Sequence, residues 1–247
     1  MSELPYPPKE FTHAHDGERL SAVSAGPAGR ATVVLLHGAG NGCKERLLPL
    51  LADVAAHGGH GLAFDFSGHG ESTGVLAELS LRRRFEQAVA VVDAHAPAPG
   101  PLVLVGFSMS GQTVADLVRH YGRRVTAVGL CAPAVYAAEA WAEPFGAGDG
   151  RFSEIIRTPD RWRDSPALTA LRSYEGRAVL AVPGTDAVIP PEVTDAVRDA
   201  LADRARFTRL EFPDAGHRLG QWFHDHPEDR RAFVTALLGA AAPDAAA

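Results

Sequence analysis

The sequence predicts an α/β protein with a mostly parallel central sheet. Short apolar runs alternate along the chain with segments whose apolar residues recur at helical spacing, which is typical of strands connected by helices. The run Ala31–Leu36 is apolar almost continuously rather than at alternate positions, and this indicates a strand buried on both faces. Asp16-Gly17 lies between two alternating runs and predicts a β-hairpin ahead of the parallel strands.

Taken in order, the elements amount to about eight strands with helices on both faces of the sheet. The predicted strands are Glu10–Ala14, Leu20–Ala25, Ala31–Leu36, Gly61–Phe66, Leu102–Phe107, Val125–Cys131, Ala178–Val182 and Arg206–Phe212. The predicted helices are Lys44–His57, Ser80–His95, Gly111–Tyr121, Pro191–Leu201 and Glu228–Leu238. Each helix carries an apolar stripe that could cover one face of the sheet.

The alternation stops after the sixth strand, over residues 134–175. This stretch is too long for a plain loop, so it is either a small cap or a disordered insert. Its aromatic residues favour a cap that packs on the rest of the protein; they are Trp141, Phe145, Phe152 and Trp162. We therefore predict a single domain over 1–247, with a core of about 10–133 and 176–239 and a cap of about 134–175.

Composition excludes several classes of protein. The 247 residues include 24 basic and 30 acidic side chains, and the net charge of −6 argues against binding to nucleic acid or an anionic membrane. Two cysteines, Cys43 and Cys131, cannot build a disulfide framework or a cysteine-based zinc site. The histidine pairs 13/15 and 224/226 lack further ligands, so we expect no metal and no cofactor. The N-terminus has no apolar core of a secretory signal, and a cytoplasmic location is expected.

A candidate nucleophile follows the fifth strand, where the chain passes from a strand through a sharp turn into a helix. Gly106 and Ser108 fit the G-x-S-x-G pattern, which projects a serine hydroxyl from the end of the strand. The last glycine is replaced by Ser110, and Gly111 comes one place later. Ser110 itself is a poorer candidate because that register lacks glycine at both required places. Taken alone, Ser108 could also be a helix N-cap.

The partners that a serine nucleophile needs follow in the order acid, then histidine. Asp186 comes directly after the strand Ala178–Val182, and His217 lies in the segment after Arg206–Phe212. A base must accept the serine proton, and an acid must hold the tautomer of that base. Either residue alone could be a loop residue without function. Their joint occurrence after the correct strands predicts a catalytic triad of Ser108, Asp186 and His217.

Acyl transfer also requires two donors directed at the developing oxyanion. The backbone N–H of Met109, next to the nucleophile, is one predicted donor. The second should lie in the turn after the first central strand, where Ala39 is preferred and Gly40 is the next possibility. His37 in the same turn is interpreted as structural.

The segment Phe64–Ser72 contains acidic, serine and histidine side chains, yet its two glycines indicate a tight connection rather than a second site. Asp65 and His69 are therefore expected to brace the turn at Ser108 through hydrogen bonds.

With these motifs in place, the chain resembles the α/β-hydrolase superfamily from about Glu10 to Leu238. HGAGNG, DFSGHGES, GFSMSG, GTDAVIP and AGH follow one another in the family's order. DFSGHGES is similar to small bacterial esterases related to cinnamoyl/feruloyl esterases and monoacylglycerol lipases. The resemblance implies an acyl-enzyme on Ser108, with Ala39 and Met109 as oxyanion donors and a cap between the sixth strand and the strand that carries the acid.

The leading functional prediction is a serine hydrolase of carboxylic esters whose partner is a small molecule. A biosynthetic thioesterase, C–C hydrolase, acyl transferase or lyase on the same fold is an alternative, and a non-catalytic receptor is a third. Gly40, Trp141, Phe145 and Trp162 are the predicted substrate-binding residues, although the aromatic residues could equally bury the core of the cap. The cap arginines could bind a substrate carboxylate but are more readily explained as exposed charge.

Overall fold

The computed structural model describes residues 6–27, 31–96, 98–146, 148 and 150–239. Its strands are β1 (Lys9–His15), β2 (Glu18–Ala25), β3 (Thr32–Leu36), β4 (His60–Phe64), β5 (Leu102–Phe107), β6 (Val125–Cys131), β7 (Arg177–Thr185) and β8 (Arg206–Gly216). Its α-helices are α1 (Leu48–Ala56), α2 (Leu81–His95), α3 (Ser110–Tyr121), α4 (Arg151–Arg157), α5 (Pro166–Arg172), α6 (Pro191–Ala202), α7 (Leu219–Asp225) and α8 (Pro227–Leu238).

The strands form one sheet in the order β1-β2-β4-β3-β5-β6-β7-β8. The strands β1, β2 and β4 pair antiparallel, and all pairs from β4 through β3 to β8 are parallel. The carboxyl ends of the parallel strands consequently meet at one edge, where the loops after β3, β5, β7 and β8 come together. The predicted fold class is confirmed.

The hairpin signal at Asp16-Gly17 joins β1 to β2 as predicted. Both residues have positive φ, 48° and 78°, as a type I′ turn requires. This turn matches the twist of the two strands, and β2 pairs on its other side with β4.

Both faces of the sheet are buried, which explains the continuous apolar run of β3. Val34 and Leu36 face one core cluster, and Val33 and Leu35 face the other. Helices α2, α3, α5 and α6 contribute to the first cluster, and α1, α7 and α8 contribute to the second. Alternate side chains of one strand thus pack against different helical layers.

Several boundaries differ from the prediction. The segment predicted as one helix over Lys44–His57 begins as a 3-10 turn over Lys44–Leu47 before α1. Helix α7 was not predicted, because its seven residues present only a short apolar stripe through Leu219 and Phe223. Strand β8 continues past Pro213 to Gly216, since pairing with β7 resumes after an irregularity in register.

The predicted cap region, residues 134–175, contains helices α4 and α5 and two 3-10 turns, Ala138–Ala140 and Arg161–Asp164. The low-complexity sequence APDAAA at the C-terminus predicts a frayed tail, and it lies outside the described residues. None of the described helices is long and apolar enough to cross a membrane.

One acidic side chain on α3 is buried without full compensation. Asp116 is 4 % exposed and accepts a 3.0 Å hydrogen bond from the Gln112 amide, while the nearest guanidinium, Arg119, is mostly in solvent. Burial raises the pKa of Asp116 to about 6. The folded protein therefore binds a proton between about pH 4 and 6 that the unfolded chain has already lost, so stability falls as pH rises through this range.

We predict that Asp116→Asn removes this pH dependence. The free energy of unfolding of the variant, relative to the wild type, should increase by on the order of 3 kcal/mol between pH 4 and pH 7.5. Urea denaturation at several pH values measures the difference. Asp203→Asn, at an exposed position, is the control and should show no such trend. A constant difference for Asp116→Asn across this pH range would contradict the prediction.

Candidate active site

Ser108 lies at the tip of a strained turn between β5 and α3. Its φ of 52° is in the left-handed region, where a residue with a side chain is held at a cost of about 1–3 kcal/mol. The Ser108 N–H donates to the Cys131 carbonyl at 2.9 Å, and the Ser108 carbonyl accepts from the Ala134 N–H at 2.9 Å. The neighbouring strand β6 and the loop after it therefore fix this conformation.

Glycines surround the turn where backbone segments approach closely. A Cβ at Gly106 would lie 2.5 Å from the Ser110 carbonyl oxygen, and a Cβ at Gly111 would lie 2.7 Å from the Pro133 Cβ. Position 110, where the usual pattern has glycine, accommodates a completely buried serine. Its hydroxyl donates to the His37 carbonyl at 2.6 Å and thus bonds away from the nucleophile.

The structure brings Ser108, His217 and Asp186 together. The His217 Nε2 lies 2.9 Å from the Ser108 Oγ, and its Nδ1 lies 2.9 Å from the Asp186 Oδ2. A carboxylate can only accept, so Nδ1 carries the proton and Nε2 is left to accept from the serine hydroxyl. This is the arrangement in which a histidine can take a proton from a serine.

Asp186 is held by its own loop. Its second oxygen, Oδ1, accepts from the backbone N–H groups of Val188 at 2.8 Å and Ile189 at 3.0 Å. The Thr185 hydroxyl donates to the Ala215 carbonyl at 2.9 Å, which ties the end of β7 to the end of β8 just before His217. The acid and the histidine therefore share one rigid support.

The two predicted oxyanion donors flank the serine. Met109 follows it directly, and Ala39 lines the same cavity of about 280 Å³ as Ser108 and His217. In the described part of the chain, neither backbone N–H has a hydrogen-bond acceptor. A Cβ at Gly38 would lie 3.1 Å from the Ser108 Cβ, so the loop after β3 comes close to the nucleophile. Gly40, with φ of 69°, shapes this loop but is not among the residues that line the cavity.

His37 is buried, and its hydrogen bonds are consistent with the structural role predicted for it. Its Nε2 accepts from the Phe66 N–H at 3.1 Å, and its Nδ1 lies 2.6 Å from the Gly38 carbonyl. Burial, and then the nearby Arg84 and His69, hold the pKa of His37 well below its usual range. The ring is therefore neutral and joins the loop after β3 to the loop after β4.

The braces expected from Asp65 and His69 exist, but they reach the loop after β3 rather than the turn at Ser108. Asp65 Oδ1 accepts from the Lys44 N–H at 2.6 Å, and its Oδ2 lies 3.2 Å from the Lys44 Nζ. Burial alone would lower the pKa of Lys44, but the carboxylates of Glu45, Glu71 and Asp65 outweigh it and raise the pKa. His69 Nδ1 lies 3.0 Å from the Ser67 carbonyl, and its ring packs on that of His37.

The predicted substrate-binding aromatic residues separate into two groups. Trp141 packs on Phe85, and Phe145 packs on Phe152 in the core beneath the cap, so neither lies among the residues that line the cavity at Ser108. Trp141 thus packs the cap against α2, and Phe145 packs against α4 within the cap. Trp162 lines a second cavity of about 260 Å³, which shares Val188 with the first.

Residues that sequence reasoning missed also lie near the site. Val188, Arg218 and Gln221 line the Ser108 cavity because the loop after β7 and helix α7 cover it. Arg84 lies behind the loop after β3, completely buried. Its place on the apolar stripe of α2, three residues after Leu81 and four before Ala88, was a signal that could have revealed it.

Comparison with known proteins gives the family. Residues 27–157 match the family described as serine aminopeptidase, S33, and this segment is more than half of the chain. The protein belongs to this family. It is thus a hydrolase of the α/β-hydrolase superfamily, as the resemblance in sequence predicted. No curated protein matches the sequence.

Solved structures similar to this hydrolase include a thioesterase domain from the curacin biosynthetic pathway, with 16 % identity and a TM-score of 0.69 over 95 % of this chain and 100 % of the other. Est1E from Butyrivibrio proteoclasticus, solved with ferulic acid bound, has 16 % identity and a TM-score of 0.68, covering 93 % and 100 %. Esterase Pf2001 of Pyrococcus furiosus has 18 % identity and a TM-score of 0.66, covering 96 % and 95 %. At these identities the likeness shows the fold alone.

The brace at Asp65 gives a prediction of stability. Asp65→Asn leaves the buried Lys44 ammonium without its buried counter-charge and should lower the free energy of unfolding by about 3–5 kcal/mol. Glu71→Gln removes the mostly exposed partner of the same ammonium and should have a much smaller effect. Urea denaturation of both variants measures the free energy of unfolding. Equal losses in the two variants would contradict the prediction that Asp65 is the principal counter-charge of Lys44.

Proposed function

We propose that this hydrolase cleaves carboxylic esters of small or medium size through an acyl-enzyme on Ser108. The single observation that carries the proposal is the position of His217, within 2.9 Å of both Ser108 Oγ and Asp186 Oδ2. The hydrolase family and the esterases among the structural neighbours support it.

The proposed reaction uses this geometry. His217 Nε2 accepts the hydroxyl proton as Ser108 Oγ attacks the ester carbonyl, and Asp186 stabilises the imidazolium that forms. The carbonyl oxygen becomes an oxyanion and accepts from the N–H groups of Ala39 and Met109. His217 then gives its proton to the leaving alcohol, and the acyl group remains on Ser108. Water, deprotonated by His217, releases the acid and restores the serine.

Charges around the site favour an ester of a simple acid over the amino-terminal peptide bond that the family's description suggests. An aminopeptidase substrate carries an ammonium group beside the scissile bond, and this group needs a carboxylate partner. The described residues that line the Ser108 cavity include Arg46 and Arg218 but no Asp or Glu. The described residues that line the second cavity likewise include Arg157 and Arg161 but no Asp or Glu, although Arg161 is paired with Glu139 outside the lining.

The two cavities suit the two halves of an ester. Ser108 borders the first, and the second begins at Ala134, whose N–H is bonded to the Ser108 carbonyl. The second is mainly apolar, with Val135, Ile155 and Trp162 in its wall. We assign one apolar half of the substrate to this cavity, in contact with Trp162.

Ser108→Ala should abolish hydrolysis of p-nitrophenyl esters, with a fall in kcat of at least about 10⁴-fold, because it removes the hydroxyl that is bonded to His217 and forms the acyl-enzyme. Ser173→Ala, in the cap region, removes a hydroxyl that donates to the Ala170 carbonyl at 2.9 Å; it is the matched control and should keep full activity. An organophosphonate should add its mass to the wild type and not to Ser108→Ala. Retained turnover in Ser108→Ala would overturn the mechanism.

A second test compares substrates that differ only in a free amine. Methyl 3-phenylpropanoate should have a kcat/KM at least about tenfold above that of phenylalanine methyl ester, because the ammonium of the latter meets arginines and no carboxylate. A thioester of 3-phenylpropanoate should also be cleaved, since the same acyl-enzyme forms; the thioesterase among the structural neighbours makes this substrate worth including. Preference for the amino ester would favour an aminopeptidase.

A further inference from the structure

Arg84 is a buried cation without a buried anion. It is completely buried in α2, and no carboxylate of the described residues lies within 4.0 Å of its guanidinium. Within the same part of the chain, its Nε and Nη1 have no hydrogen-bond partner. Burial lowers the pKa of Arg84 to about 9, which still leaves the group charged at neutral pH.

Burial of a charge without a counter-charge destabilises the folded protein, so the few contacts of the Arg84 guanidinium indicate its role. The guanidinium lies 3.7 Å from the centre of the Phe66 ring. Its Nη2 donates to the His37 carbonyl at 2.7 Å and to the Ser110 Oγ at 2.7 Å. Ser110 in turn donates to the same His37 carbonyl at 2.6 Å. Both polar side chains thus converge on one carbonyl oxygen.

That carbonyl belongs to the segment that leads to one oxyanion donor. His37 is followed by Gly38, whose backbone approaches Ser108, and then by Ala39 in the wall of the Ser108 cavity. Ser110 directly follows Met109, the other donor. The Ser110 hydroxyl therefore links the backbone segments that carry the two N–H groups, and Arg84 holds this link with a charge-assisted bond.

We propose that Arg84 and Ser110 are positioning residues for the oxyanion hole, which fix the distance between the Ala39 and Met109 N–H groups through the His37 carbonyl. This inference rests on the proposed function. It also accounts for serine in place of the usual glycine at position 110, since glycine has no hydroxyl to make the link. The group that these residues serve is the tetrahedral oxyanion of a carbonyl substrate.

Ser110→Ala and Ser110→Gly should lower kcat by about tenfold to a hundredfold with little change in KM, less than the roughly 10²–10³-fold loss for removal of an oxyanion donor. Arg84→Met should have a similar effect, and Arg84→Lys, which keeps the charge and a donor, should recover part of it. In the double variant Ser110→Ala/Arg84→Met, the loss should be smaller than the product of the single losses, because both act on one carbonyl.

One further measurement distinguishes positioning of the oxyanion hole from a merely structural role of Arg84 and Ser110. The affinity for a trifluoromethyl ketone, whose adduct with Ser108 places an oxyanion in the hole, should fall across the variants in proportion to kcat/KM. Affinity for the carboxylic acid product should stay constant. Ser80→Ala is the matched control, because it removes the N-cap of α2 and destabilises the helix that carries Arg84 without touching His37. It should lower the melting temperature and leave kcat unchanged.

Folded Ser110→Ala protein with wild-type kcat and wild-type affinity for the ketone would overturn this inference alone. A loss of kcat in Ser80→Ala equal to that in Arg84→Met would also overturn it, since destabilisation of α2 would then explain the effect. If the wild type shows no turnover that depends on Ser108, the proposed function fails, and this inference fails with it.

Discussion

The left-handed turn at Ser108 is the constraint on which the site depends, and the sheet maintains it. The Ser108 N–H bonds the last residue of β6, Cys131, and one residue further on the Ala132 N–H bonds Ala181 of β7 at 3.0 Å. Ala132 also has a positive φ, of 46°. The link from Thr185 to Ala215 then joins β7 to β8. Hydrogen bonds thus run across the carboxyl edge from the nucleophile's strand to the strands that carry Asp186 and His217.

Behind this edge lie two buried cations, Lys44 and Arg84, which differ in the charge of their bonding partners. Lys44 is bonded to the Asp65 carboxylate, and it anchors the beginning of the first helical segment to the loop after β4. Arg84 forms no ion pair with any described residue and bonds a neutral carbonyl and a hydroxyl. An ion pair of the first kind can be explained by structure alone, whereas an uncompensated charge is destabilising and calls for another benefit. In the proposal above, that benefit is the fixed position of the His37 carbonyl, which Arg84 holds together with Ser110.

The parts of this arrangement that sequence could predict are those with local signals. Apolar periodicity gave the strands and the long helices, and the order of Ser108, Asp186 and His217 after successive strands predicted a constellation that the structure brings within hydrogen-bonding distance. The sequence could not predict which residues the aromatic side chains of the cap pack against. Trp141 and Trp162 have the same apolar character, and only the tertiary packing decides that Trp141 covers Phe85 while Trp162 lines the cavity next to that of Ser108. Arg84 was not predicted to lie at the site for a related reason. Its contacts are with His37 and Ser110, which are 47 and 26 positions away in the sequence.

Asp186 contacts both His217 and the loop that borders the two cavities. One carboxylate oxygen holds His217, and the other holds the N–H groups of Val188 and Ile189. Val188 is the residue shared by the two cavities, and Ile189 lines the second. The same carboxylate therefore orients His217 and shapes the boundary between the two cavities. Because both sets of contacts depend on one short loop after β7, a change in that loop alters the alignment of His217 and the shape of the two cavities together.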